Sequence, residues 1–175
     1  APIRCMTDAF KFPGAGYVGP IPTPVILMLI IFAIAVMLVN RTHFGRHIYA
    51  VGGNAQAASF SGINVQKVKF WVYTFTGIMA GIAGVVIASR LYSGQPRSGE
   101  GAEMDAIAAV VVGGTSMSGG SGRLGGTLIG VLIIGVLNNG LNLMGVDSNW
   151  QYIVKGFVIL LAVYVDFIRN RKAGR

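Results

Sequence analysis

The 175-residue chain is poor in charge: 11% of its residues are Asp, Glu, Lys or Arg, against roughly 25% in an ordinary soluble domain. So few charged side chains cannot cover the surface of a soluble domain of this size, which excludes that class. Cysteine occurs once, as Cys5, so no intrachain disulfide and no disulfide scaffold can form. No G-x-x-x-x-G-K-[ST] segment occurs, so the 175 residues carry no Walker A site and bind no ATP by that route. His43 and His47 stand four apart, but Phe44-Gly45-Arg46 between them supplies no glutamate for a metalloprotease, and no carboxylate pair reads as catalytic.

Apolar sequence and glycine are abundant instead: 53% of residues are hydrophobic, 26 are glycine, and the mean hydropathy is +0.65. Spans are expected at about 22–39, 70–89, 124–145 and 151–168, each near the ~20 residues needed to cross a bilayer core. The second is bracketed by Lys67 and Lys69 on one side and Arg90 on the other. The loop 40–69 holds Arg41, Arg46, Lys67 and Lys69 with no acid, and the tail holds Arg169, Arg171, Lys172 and Arg175 with none. The positive-inside rule puts both in the cytoplasm, so an even number of crossings must lie between them. Residues 104–118, whose apolar stretch is too short for a full span, are therefore expected to supply a crossing as a short or broken helix. The intervening segments fit: 92–105 carries three acids against Arg97, and 145–151 carries Asp147 and the interfacial Trp150. Five crossings with the N-terminal segment outside imply part of a longer permease, preceded by an extramembrane connection at 1–21. The net charge of +8 then sets topology and does not mark a nucleic-acid surface.

Within the cytoplasmic loop, Gly52-Gly53 reads as a turn, Asn54 as a helix N-cap and Gly62 as the stop of a short helix of small residues. Ala57 and Ala58 suggest a face for close approach by a cytoplasmic partner; an ordinary loop capping the bundle is the plainer alternative. In the stretch 113–126, Gly120, Gly122 and Gly125 satisfy G-x-G-x-x-G. Without a strand before it or an acid about 20 residues on, that match is accidental. Gly113, Gly114, Thr115 and Ser116 read as a tight turn after the short helix, with hydroxyls serving freed backbone groups, and Asp105 sits at the positive end of that helix. Asn138, Asn139 and Asn142 are the deepest polar groups in a span. Asn138 and Asn142 share a face and either line a hydrophilic path for a polyol-like solute or tie neighbouring helices. The pairs Gly77/Gly81, Ala80/Gly84 and Gly126/Gly130 read as helix-packing surfaces, Lys155 as a side chain snorkelling to the outer boundary, and no buried ion pair is expected.

With these segments in view, the sequence resembles the membrane permease subunit of ribose-type sugar ABC importers, which handle ribose, xylose, arabinose, galactose and similar sugars. The likeness runs through FKFPGAGYVGPIPTPV, FGRHIYAVGGNAQAASFSGINVQKVKFWVY, GIAGVVIASRLYSGQP, EMDAIAAVVVGGTSMSGGSGRLGGTLIGVLIIGVLNNGLNLMGV and QYIVKGFVILLAVYVD, nearly the whole chain. The resemblance implies an all-α polytopic bundle of the vitamin-B12-importer (type II) architecture, of which this chain corresponds to the C-terminal half. It implies a bacterial inner-membrane location with the C-terminus cytoplasmic, and a pair of permease subunits. It also implies a cytoplasmic ATPase subunit that binds ATP, and an extracytoplasmic sugar-binding protein; the chain itself binds no cofactor and does no covalent chemistry. The loop 40–69 then carries the coupling helix that docks on the ATPase, with Gly52, Gly53, Asn54, Ala57, Ala58 and Gly62 matching the motif. Phe60 departs from it where a basic or polar residue is expected, and Arg97 departs in the outer loop. On this reading a charged replacement of Ala58 uncouples ATP hydrolysis from transport. An ATP-independent secondary transporter or channel half is the alternative of a different class, and a purely structural membrane subunit is a third.

Overall fold

The computed structural model describes residues 3–4 and 8–173. In chain order the elements are β1 (Ile3–Arg4), α1 (Asp8–Ala15), β2 (Tyr17–Val18), β3 (Ile21–Pro22), α2 (Thr23–Arg41), α3 (His43–Gly53), α4 (Ala55–Phe60), α5 (Val65–Leu91), β4 (Ser93–Gly94), α6 (Ala102–Val112), α7 (Leu124–Leu143) and α8 (Ser148–Ala173). Four helices are long and apolar enough to cross a membrane: α2, α5, α7 and α8 as far as Ile168. Their apolar side chains are largely exposed, as in Leu29, Ile78, Leu132 and Leu160, which is what a lipid-facing bundle requires and a water-soluble one forbids. The chain divides into two compact units.

One unit comprises residues up to Val51 together with Gln56–Glu100. Pro22 at the N-cap of α2 and Pro24 in its first turn preset the helical start, and α2 ends at a corner where Thr42 Oγ1 donates to Leu38 O and accepts from Gly45 N–H. Asn64 caps α5, its side-chain oxygen accepting from Lys67 N–H at 3.0 Å. At ~1.5 Å per residue the 27-residue α5 is about 40 Å long, longer than a bilayer core. The connection expected at 1–21 without a fold is, over its described residues, folded. α1 packs on α5 and α2, β2 and β3 form a hairpin, and β1 pairs antiparallel with β4. The tie is Ser89, fully buried in α5: Gly14 N–H donates to its Oγ at 2.8 Å, and that hydroxyl donates to Phe10 O at 2.5 Å. A single serine thus satisfies two backbone groups of α1, one of them next to Pro13, which lies inside the helix and has no N–H of its own to donate.

The other unit comprises Gly52–Ala55 and the residues from Gly101 onward. α6 packs on both α7 and α8, around buried Ala108, Ala109 and Ile134. Gly126 and Gly130 of the expected packing pair face α6 so closely that a methyl on Gly130 would overlap Ala109 O. Around Gly77, Gly81 and Gly84 of α5 there is open space. The crossing expected at 104–118 is helical only as α6: it ends at Val112, where Gly113 N–H donates to Ala109 O and Gly114 turns to φ +84°. Its 11 residues span about 16 Å, half a bilayer core, and 113–123 is a turn.

Candidate functional site

In the loop between α2 and α5, the glycine turn expected at Gly52-Gly53 is instead the last turn of α3. Asn54 separates α3 from α4, a six-residue helix whose carbonyls are closed by Ser61 N–H to Ala57 O, Gly62 N–H to Ser59 O and Ile63 N–H to Ala58 O, with Gly62 at φ +84°. α4 has two distinct sides. Ala58 is 5% exposed, so it packs inward and cannot belong to a docking face; a charge there would enter a packed interior, which corrects the expectation placed on it. Gln56, Ala57, Ser59 and Phe60 form the exposed side, and Phe60, at 93%, is among the most exposed large apolar side chains of the chain. Beside the α4 to α5 turn lies an open cavity of about 360 Å³ lined in part by Phe44, His47, Ile63, Lys67 and Trp71. An exposed aromatic next to a concave surface with a cationic rim suits a protein partner better than a small solute. His43 Nδ1 is engaged by the Arg46 guanidinium at 2.7 Å.

α6, α7 and α8 bring together a second group of polar side chains. The Lys155 ammonium lies 2.6 Å from Asp105 Oδ1, and Asn138 Nδ2 donates to Asp105 Oδ2 at 3.0 Å. Asp105 is in the first turn of α6, where the helix dipole favours its charge, and Lys155 lies two turns into α8, its ammonium 5.6 Å from the Tyr152 ring centre. Lys155 is 9% exposed. It does not snorkel as expected, because an opposite charge at matching depth on α6 offers it a partner closer than water. The buried ion pair is a feature that reading each charge alone missed; the signal available was the opposite signs near the starts of α6 and α8.

The three asparagines separate. Asn138 binds Asp105, Asn142 Oδ1 accepts from Gln151 Nε2 at 2.9 Å, and Asn139 is exposed on α7. Asn138 and Asn142 share one face, as the spacing predicts, and each joins α7 to a neighbouring helix.

Past α6, the turn is internally hydrogen-bonded. Thr115 N–H donates to Val110 O, Gly119 N–H to Ser116 O and Ser116 N–H to Ser121 O, while Ser116 Oγ donates to Asp166 Oδ2 of α8 at 2.9 Å. Gly120 and Gly122 lie within this turn and Gly125 in the first turn of α7, and the element before them is the helix α6, not a strand. An apolar cavity of about 420 Å³ between α6 and α8 has Asp166 as its one polar side chain, too few partners for a sugar's hydroxyls.

The family described as "Branched-chain amino acid transport system / permease component" matches residues 4–163. The "Ribose import permease protein RbsC" of Bacillus subtilis is 56% identical over 157 residues, 90% of this chain and 49% of that protein. The Escherichia coli K12 protein of the same name is 55% identical over 159 residues, 91% and 50%. The "Xylose transport system permease protein XylH" of Escherichia coli K12 is 47% identical over 153 residues, 87% and 39%. The chain therefore spans about half the length of the curated relatives it matches. No solved structure matches it at a significant level.

Proposed function

The chain belongs to the branched-chain amino acid transport system permease family, and from that premise we propose that it forms part of the membrane path of an ATP-driven monosaccharide importer, with ribose or another pentose as cargo. The observation that carries the choice of sugar is the 56% identity, over 90% of the chain, to a protein named for ribose import. In this reading the loop 40–69 and the tail face the cytoplasm, following their uncompensated Lys and Arg. The exposed side of α4 docks on an ATPase subunit that binds the nucleotide, an extracytoplasmic sugar-binding protein meets the opposite side, and a second permease copy completes the path. Phe60 is the anchor of the ATPase contact, filling a partner pocket as exposed aromatics at interface centres do.

The competing reading is a secondary transporter or channel that works without ATP, and the Asp105–Lys155 pair is what favours it, since buried charge within the membrane often marks an ion or proton route. Radiolabelled ribose uptake into proteoliposomes by the full-length permease, its ATPase and its binding protein separates the two. The importer reading expects uptake that needs internal ATP and all three components; equal uptake without ATP would sink it. Phe60→Asp is expected to weaken ATPase association by about tenfold or more while leaving the permease's unfolding temperature unchanged, because the side chain touches little in the permease itself. Undiminished association, measured by binding of the purified ATPase to reconstituted permease, would remove Phe60 from the interface.

A further inference from the structure

We infer that the backbone contact between Gly52-Gly53 and Gly119-Gly120 is the joint through which movement at α4 reaches α6; the inference rests on the importer reading and deepens it. Both segments belong to the same compact unit. A Cβ placed on Gly120 would lie 2.6 Å from Gly53 Cα, one on Gly52 would lie 2.9 Å from Gly120 N, and one on Gly119 would overlap Gly52 O. Two main chains therefore touch with no side chain between them. Gly119 and Gly120 hold φ of +86° and +73°, conformations that glycine adopts freely, so the loop is shaped to make this approach.

The chain on either side of the contact leads to the two elements the function needs. Gly53 is followed by Asn54 and then by α4, whose exposed side is the proposed ATPase contact. Gly119 leads back through the hydrogen-bonded turn: its N–H holds Ser116 O, Ser116 Oγ holds Asp166 of α8, and Thr115 N–H holds Val110 O at the end of α6. α6 carries Asp105 in its first turn, bound to Asn138 and Lys155. A side-chain contact yields by rotamer change, whereas a main-chain contact continued by hydrogen bonds does not. Displacement at Gly52-Gly53 is passed to α6 with little slack.

Gly52→Ala in the full-length permease, assembled with its ATPase and binding protein, tests the joint. Gly52 is helical, so alanine suits its own helix and the added methyl presses on the backbone of Gly119-Gly120, most closely on Gly120 N. The expected result is a fall of about tenfold in sugar moved per ATP hydrolysed, the scale on which residues between coupled sites act. Gly125→Ala, a helical glycine with open space around it, is the control and keeps the wild-type ratio. An unchanged ratio in Gly52→Ala overturns the joint, and so does loss of the ATPase subunit from an otherwise folded permease, which would make Gly52 a docking residue. A measurement on the wild-type complex does not depend on any variant folding: amide hydrogen exchange across Ala102–Val112 is expected to differ between nucleotide-free and ATP-bound complexes, and identical exchange overturns the joint. A wild-type complex that shows no ATP-dependent uptake refutes the importer reading itself; normal wild-type uptake with an unchanged Gly52→Ala ratio refutes the joint alone.

Discussion

Lys155→Met destabilises the helical unit by about 3 kcal/mol, and adding Asp105→Asn to it restores most of the loss. The cost is one of desolvation. Lys155 is 9% exposed and Asp105 receives it at 2.6 Å, so removing the ammonium leaves a carboxylate partly buried among α6, α7 and α8 with Asn138 as its remaining donor. Breaking a buried pair from one side costs ~3–5 kcal/mol, and the lower end applies because the Asp105 side chain is 32% exposed and water can reach it. Replacing both partners by uncharged groups of similar shape removes the stranded charge, which is why the double variant recovers. Unfolding of the full-length permease in detergent, followed for both singles and the double, measures the cycle. If Lys155→Met unfolds like wild type, the pair contributes nothing to stability. A double variant that is stable but no longer transports would assign the charges a role in the transport cycle.

Gly130→Ala lowers stability by about 2 kcal/mol or more, although alanine is the better helix former by ~1 kcal/mol. The added methyl would overlap Ala109 O and lie 2.9 Å from Gly113 N, and neither is a flexible side-chain end that could move aside. α6 has to leave α7, and the buried Ala108, Ala109 and Ile134 lose their close packing. Gly135→Ala, on the same helix with open space around it, isolates the propensity term and is expected to be neutral or stabilising. Equal unfolding temperatures for the two variants would show that Gly130 and Ala109 leave room for a methyl group between α7 and α6.

The long spans were legible because each is a long apolar run with few charges, and the bilayer converts that pattern into structure almost one for one. Gly126 and Gly130 were legible for a related reason: a pair of small residues four apart leaves a surface that a neighbouring backbone can approach closely. The glycine pairs of α5 show the limit of that rule, since the pattern gives the surface and not what lies against it. α3 was not read as a helix. Gly45, Gly52 and Gly53 lower its propensity, and what fixes its start is a corner formed by Thr42. The fold of α1 on α5 depends on Ser89, whose role is invisible until Phe10 and Gly14, 79 and 75 residues earlier in the chain, are brought to meet it. Within the candidate sites, the position of α4 was anticipated, but which alanine faces inward is decided by packing across the unit; Ala58 and Ala57 are chemically identical and end on opposite sides. Asp105 and Lys155 failed for a third reason. Each charge alone has a satisfactory solution at a membrane boundary, and only the pairing of two helices at one depth makes burial the better one.

The 11 residues of α6 bear on how the protein is made. A segment this short, carrying Glu103 and Asp105 in its first turn, falls well below the ~20 apolar residues that cross a bilayer on their own. The cation that neutralises Asp105 belongs to α8 and is synthesised 50 residues later, from Asp105 to Lys155. Asp105 can therefore meet its cation only after α8 has left the ribosome, so the acid of the pair waits through the synthesis of α7 for the base that neutralises it.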